Sequence, residues 1–294
     1  MRRKNAMKWA MLPTAATLIL ALTGCTPDVL LKTAGLGGLP AAGQAITDRS
    51  EVISNMWNYS WLILWAVGII AWGLMIFAII AYRRRKGDTA LPVQLRYNNP
   101  IEVLFTVVPL IMVIGFFAFT AKTMAEVEKP YANPDVKIEV VGKQWAWDFN
   151  YVNANVYDSG VQLEGKNNAQ LLANYDKKAP VLWVPQGKTV EVDLTSRDVV
   201  HSFWVVDFLY KKDVFPGKVN KIYFTPQKLG TYDGKCAELC GEYHSMMLFK
   251  LKIVTQAEYD AHMAQLAAQG NVGQLDDTLN RQQNLPADDP TIRG

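Results

Sequence analysis

Between Trp57 and Tyr82 the chain carries no Asp, Glu, Lys or Arg. Wound as a helix rising about 1.5 Å per residue, a stretch of that length exceeds the roughly 30 Å hydrocarbon core of a bilayer. It is apolar around its whole circumference, whereas a helix half-buried in a soluble core keeps a polar stripe. Trp57, Tyr59, Trp61 and Tyr82 sit near its ends, where amphipathic rings favour the headgroup layer. Residues 57–82 therefore read as a first transmembrane helix. Arg83-Arg84-Arg85-Lys86 follows at once, and with Arg96 the segment 83–100 holds five basic residues against one acid, Asp88. That excess keeps a short loop cytoplasmic. A second apolar run, 101–121, is long enough to return, so the expected topology is a helical hairpin with both free ends outside.

The start of the chain agrees with that orientation. Arg2, Arg3, Lys4 and Lys8 precede an apolar run from Trp9 to Leu22, which is short for a membrane span and has the layout of an export signal. The run ends Leu22-Thr23-Gly24-Cys25, which resembles the lipobox of bacterial lipoproteins and would make Cys25 a lipid-attachment site. An ordinary signal with an incidental Cys is the alternative. The expectation is a lipoprotein-type signal peptide over 1–24 and an exported lead-in over 25–56, rich in Gly, Ala and Pro and without periodicity.

After Pro130 the pattern changes to short alternating or β-branched runs: Val136–Val141, Gln144–Tyr151, Val181–Val184, Thr189–Leu194, His201–Val206, Val219–Thr225 and Leu248–Val254. Gly, Pro, Asn and Asp separate them, as in an all-β sandwich or barrel, here over 130–255. Tyr151–Pro180 lacks a period and reads as a long loop with at most short elements. Gln256–Gln269 reads as a helix, and the polar remainder of 256–294 as a loosely ordered tail. The fold class is thus a membrane α-helical hairpin followed by an all-β sandwich or barrel.

A formal charge of +3 is too small for a nucleic-acid surface, and its positive excess lies in the first part of the chain. The portion after Pro130 is mildly acidic. The chain has only three Cys and three His, yet Cys236, Cys240 and His244 fall within nine residues. Copper favours thiolate, imidazole and thioether ligands, and Cys236–Met247 holds all three kinds. Cys240-x3-His244-x2-Met247 alone has the spacing of a mononuclear blue-copper loop, which needs a second His from elsewhere; His201 is the candidate. Cys236 adds a second thiolate, and two thiolates four residues apart can both bridge two copper ions. A Cys236–Cys240 disulfide is the alternative in an exported domain, but it leaves the placement of His244, Met247 and His201 unexplained. The third histidine, His262, falls in the expected C-terminal helix and reads as a surface residue.

The run Cys236-Ala-Glu-Leu-Cys240-Gly-Glu-Tyr-His244-Ser-Met-Met247, preceded by Asp198-Val-Val-His201-Ser, resembles the copper motif of cytochrome c oxidase subunit II. The resemblance covers nearly the whole mature chain, since a two-helix hairpin carrying an exported cupredoxin domain is that family's architecture. It implies a centre of two copper ions held by His201, Cys236, Cys240, His244 and Met247 through side chains and by Glu238 through its carbonyl. It implies that the Glu238 side chain helps hold a magnesium ion against the catalytic haem-copper subunit I. Gln144-Trp145-Ala146-Trp147 resembles the family's aromatic patch for electron entry, with Trp145 at the entry position, while Trp147 reads as a strand anchor. Glu102, seven residues before Pro109, matches in register the family's Glu at a proton-channel mouth; on physical grounds alone it equally well snorkels to the interface.

The segment following His201 looks like actinobacterial versions of the family. The resemblance therefore implies as electron donor either cytochrome c or a cytochrome domain of a bound bc1-type complex, and membrane lipid and other oxidase subunits as further partners. A nitrous oxide reductase would need a large catalytic domain that this chain lacks, and a quinol oxidase subunit would lack the copper ligands. A copper-delivery lipoprotein remains the alternative function, though it leaves two spans and an edge Glu without a role. No haem-ligating His lies in either span, so any oxygen chemistry belongs to a partner.

Overall fold

The computed structural model describes residues 45–87, 89, 91, 94–165 and 168–275. The expected signal peptide, Cys25 and most of the lead-in lie outside these residues. The chain divides into two compact units. Among the described residues, one contains those of Ser54–Phe117, and the other contains 45–53 and those from Ala118 to Leu275.

The first unit is built from two long helices, α1 (Asp48–Ala81) and α2 (Asn99–Val127). Their most apolar windows have mean hydropathies of 2.6 and 2.5, and none of those windows is buried within the protein. Side chains such as Ile69, Trp72, Ile80, Phe105 and Phe117 stand exposed along them, as membrane-spanning helices require of a protein seen without its lipid. The expected lead-in is corrected at its end, because α1 begins nine residues before Trp57. Thr47 supplies the start signal: its hydroxyl accepts from the Ser50 amide at 3.0 Å, and Asp48 and Glu51 place negative charge in the first turn. Likewise α2 continues past Ala121 to Val127.

The second unit is a sandwich of two five-stranded sheets, with strands β1 (Val136–Lys143), β2 (Ala146–Tyr151), β3 (Val156–Ser159), β4 (Val181–Pro185), β5 (Val190–Ser196), β6 (His201–Val205), β7 (Tyr210–Val214), β8 (Asn220–Phe224), β9 (Gly230–Cys236) and β10 (Leu248–Val254). One sheet runs β3-β2-β1-β5-β8 and the other β4-β10-β9-β6-β7. Each contains one parallel pair, β1 with β5 and β10 with β4. Inward residues alternate along every strand: Ile138 and Val140 on β1, Phe149 and Tyr151 on β2, Val192 and Leu194 on β5, Leu251 and Ile253 on β10, all essentially inaccessible. Phe249 is central, stacked on Phe203 at 4.8 Å and edge-on to Trp147 at 5.5 Å. Burying each such ring contributes on the order of 2–3 kcal/mol.

Three strands lie outside the runs read as strands: β3, β7 and β9. The stretch from Tyr151 to Pro180, expected to be a loop with at most short elements, holds the four-residue β3 and an 11-residue helix, α3 (Asn168–Lys178), docked by the Tyr175 hydroxyl on Asp233 at 2.6 Å. The C-terminal helix α4 (Gln256–Ala268) forms as expected, with a capping box between Thr255 and Glu258. His262 is not a free surface residue. It stacks on Trp183 at 4.2 Å and is half-buried between α4 and β4.

Candidate metal centre

His201 opens β6 and faces inward, while Cys236 ends β9; the neighbouring pair Phe203 and Cys236 face each other across the antiparallel ladder. That register brings the distant histidine and the first cysteine to one end of the sandwich. The loop from Ala237 to Met247 then closes over the same end. It is anchored by backbone bonds from Cys236 N to Met247 O at 3.0 Å and from Ala237 N to Ser202 O at 3.0 Å. A single turn of 3-10 helix, His244–Met246, delivers His244 and Met247 together.

The donor atoms converge. Cys236 Sγ lies 3.8 Å from His201 Nδ1, 3.8 Å from Cys240 Sγ and 3.2 Å from the Glu238 carbonyl oxygen. Cys240 Sγ lies 3.4 Å from His244 Nδ1 and 3.8 Å from Met247 Sδ. Both cysteines and Met247 are buried, and both thiols are free. Their 3.8 Å separation is almost twice a disulfide bond of about 2.05 Å, and no disulfide joins them in this structure. Donors of His201, Cys236 and Cys240 fall within 4.8 Å of one another. Two thiolates, two imidazoles, a thioether and a carbonyl around one buried spot form a soft donor set suited to copper, so the residues fit a copper centre. Met246, adjacent to Met247, makes no such approach.

The electrostatics of the cluster follow from its burial. The hydrogen bond with Cys240 pulls the Cys236 pKa down to about 3, against the cost of burial and with help from His201. Cys240 is pushed up in turn by its bond with Cys236 and by burial. Burial opposes charge on His201, but Asp198 and Cys236 outweigh it and raise its pKa.

Two residues whose orienting role the sequence does not disclose hold the ligands. Asp198 Oδ1 sits 2.8 Å from His201 Nε2 and accepts from Val199 N at 2.6 Å, leaving His201 Nδ1 directed at the cluster. Asp198 Oδ2 accepts from the Gln144 amide at 2.7 Å, and the Gln144 side chain donates to the Cys240 carbonyl at 2.8 Å. One carboxylate and one amide thus tie the histidine side of the site to the cysteine side. Gly142 completes the support: a Cβ there would lie 2.9 Å from His201 Cδ2, so only glycine lets β1 pass this close.

The other expected site residues separate clearly. Trp145 is half-buried, its indole donates to the Cys240 carbonyl at 3.3 Å, and it packs edge-on to Tyr243 at 4.9 Å. Trp147 is fully buried in the core with its indole 3.4 Å from the Met247 carbonyl, the structural role read for it. Glu238 turns its carbonyl to Cys236 and leaves its side chain exposed. Glu102 stands in the first turn of α2, where its carboxylate accepts from Asn98 N at 3.1 Å.

Comparison with known proteins matches residues 136–254 to the family model for the cytochrome c oxidase subunit II periplasmic domain and residues 37–121 to that for its transmembrane domain. A protein of Streptomyces avermitilis named "Probable cytochrome c oxidase subunit 2" is 39% identical over 302 residues, covering 92% of this chain and 91% of its own. The cytochrome c oxidase subunit 2 of Corynebacterium glutamicum is 31% identical over 290 residues, covering 82% and 80%. Among solved structures, the periplasmic domain of cytochrome oxidase subunit II of Bradyrhizobium japonicum is similar at 28% identity and a TM-score of 0.42, covering 47% of this chain and 96% of that one.

Proposed function

Since the chain belongs to the cytochrome c oxidase subunit II family, we propose that it is the electron-relay subunit of a respiratory oxidase, with His201, Cys236, Glu238 O, Cys240, His244 and Met247 holding two copper ions. The observation that carries this reading is the convergence of those six donors around two unlinked, buried thiols. When bound, the copper pair supplies a one-electron relay whose charge is spread over two metals. The chain's own residues do the rest. Asp198 fixes the His201 ring, Gln144 fixes the Cys240 carbonyl, and both thiols and Met247 are buried, so ligand positions change little with charge.

Trp145 fits the entry point for electrons, being half-exposed and hydrogen-bonded to the carbonyl of a ligand cysteine. Exposed Leu239 adds apolar surface at the same loop, suited to a transient donor contact such as cytochrome c or a cytochrome domain of a bc1-type complex. Glu238 is suited to a magnesium site shared with the catalytic subunit, because its carboxylate is exposed while its carbonyl faces the sulfur pair. Glu102, at the start of α2, is placed for proton entry towards that subunit. Oxygen reduction belongs to the catalytic haem-copper partner, and the assembly acts as an oxidoreductase in the bacterial plasma membrane, with 130–255 outside and Cys25 as its lipid attachment.

Copper analysis and electron paramagnetic resonance of the purified full chain test the reading. The expected result is two coppers per chain and a hyperfine pattern of one electron shared equally by both nuclei. Cys236→Ser should abolish that pattern. One copper with a single-nucleus pattern, or a metal-free disulfide, would sink it. Metal binding without any electron transfer to the catalytic subunit would favour the copper-delivery alternative.

A further inference from the structure

Trp145, proposed as the electron entry, lies in the turn between β1 and β2, outside the ladder that pairs them, so strand pairing does not fix its ring. The ligand loop supplies what the sheet does not. The indole Nε1 donates to the Cys240 carbonyl at 3.3 Å, an oxygen that also accepts from Gln144 Nε2 at 2.8 Å. Gly241 leaves room for the ring: its φ of +126° favours glycine, and a Cβ there would lie 3.0 Å from Trp145 Cζ2 and 3.2 Å from its Nε1. Tyr243 adds an edge-on ring contact, with centroids 4.9 Å apart and planes at 74°.

These restraints are unequal. At 3.3 Å the indole bond is just beyond the usual N–H···O range of about 2.7–3.2 Å and its acceptor is shared, so it restrains the ring weakly. An edge-to-face aromatic pair adds attraction beyond the area it buries. Tyr243 is itself fixed: it is the N-cap of the 3-10 turn His244–Met246, and its carbonyl accepts from Met246 N at 2.9 Å. The ring that meets Trp145 therefore belongs to the residue next to His244, and it moves with the metal loop.

We infer that Tyr243 is a positioning residue for electron entry: it holds the Trp145 indole against the Cys240 carbonyl, so that the donor meets a ring already bonded to the backbone of a ligand cysteine. This rests on the reading of Trp145 as the entry point. One electron leaves the reduced haem of the donor and arrives on the copper pair; Trp145 bridges the gap and ends as it began, and no bond is made or broken. Without the Tyr243 ring the indole is free to leave its hydrogen bond, and a small misplacement of a group that must meet its partner is costly. The rate of transfer then falls while donor affinity holds, because the exposed surface of Leu239 is untouched.

The assembled oxidase carrying Tyr243→Leu, Tyr243→Phe or Trp145→Phe tests this, with reduced soluble cytochrome c as the donor probe. In Tyr243→Leu the reduction rate of the copper centre should drop about 3- to 10-fold, the scale of one lost aromatic pair, with the cytochrome dissociation constant and the paramagnetic resonance pattern unchanged. Tyr243→Phe keeps the ring contact and should restore the parent rate. A second readout needs neither metal nor donor: in the copper-free full chain, oxidative labelling of Trp145, read by mass spectrometry, should rise several-fold in Tyr243→Leu and stay at the parent level in Tyr243→Phe. An unaltered rate or unaltered labelling in Tyr243→Leu would overturn the inference, and so would loss of the resonance pattern, which would make Tyr243 a residue of loop folding. A slow Trp145→Phe beside a normal Tyr243→Leu overturns this inference alone, whereas a Trp145→Phe reduced at the parent rate removes Trp145 as the entry and the inference with it.

Discussion

At the scale of single residues, the site divides into donor atoms proposed to hold metal and atoms that aim them, and only the first group shows in the sequence. Cys236, Cys240, His244 and Met247 are legible because one loop holds them at fixed spacing. His201 is legible because histidines are few. The contributions of Asp198 and Gln144 arise from tertiary contact: Gln144 is 96 residues from the Cys240 carbonyl it binds, and no local pattern announces that. Asp198, three residues before His201, is the nearest thing to a local signal. Burial opposes its charge, but bonds from His201, Val199 and Gln144 outweigh it and hold its pKa below the ordinary value. Removing such an orienting partner typically costs about 10–100-fold in metal affinity. Asp198→Ala should therefore weaken copper binding by that order in a chelator competition while leaving all six donors present. An unchanged affinity would show that packing against Gly142 alone holds His201.

Secondary-structure elements were read best where a buried, β-branched face repeats and worst where pairing decides. Strand β9 reads Gly-Thr-Tyr-Asp-Gly-Lys-Cys, a turn-like composition, but it sits inside its sheet between β10 and β6. Gly234 is needed there because any Cβ would collide with the Phe249 ring at 2.3 Å. Strand β7, Tyr210–Val214, looks polar because it lies at the sheet edge, where lysines discourage further pairing. Its charges have a second use: Tyr210 and Lys212 both donate to Glu128, just past the end of α2. Burial opposes the Glu128 charge, yet these two partners outweigh it and lower its pKa from 4.5. A depressed carboxylate stabilises the folded state above the unfolded pKa and loses that contribution as pH falls through the lower folded value. Unfolding of the purified chain below about pH 4.5 should thus be less pH-dependent in Glu128→Gln than in the parent. Identical pH profiles would mean that the contact contributes nothing to stability.

At the scale of the whole molecule, the hairpin and the sandwich were the most legible features, because each follows from bulk properties: length without charge for the spans, period-two alternation for the strands. What composition predicts beyond the fold is sidedness. The loop 83–100 carries Arg83, Arg84, Arg85, Lys86 and Arg96 against Asp88, and translocating such a cluster is unfavourable where short loops decide orientation. The portion of the chain after Pro130, with 17 basic and 20 acidic residues, presents no comparable barrier. A cysteine introduced at Gly87, which lies in the loop with open space around its Cα, should react with a membrane-impermeant maleimide only after the cells are permeabilised. One introduced at Lys228, exposed between β8 and β9, should react in intact cells. Reversal of this pattern would put the metal centre on the cytoplasmic side, where an extracytoplasmic electron donor could not reach Trp145, and the relay reading would fail with it.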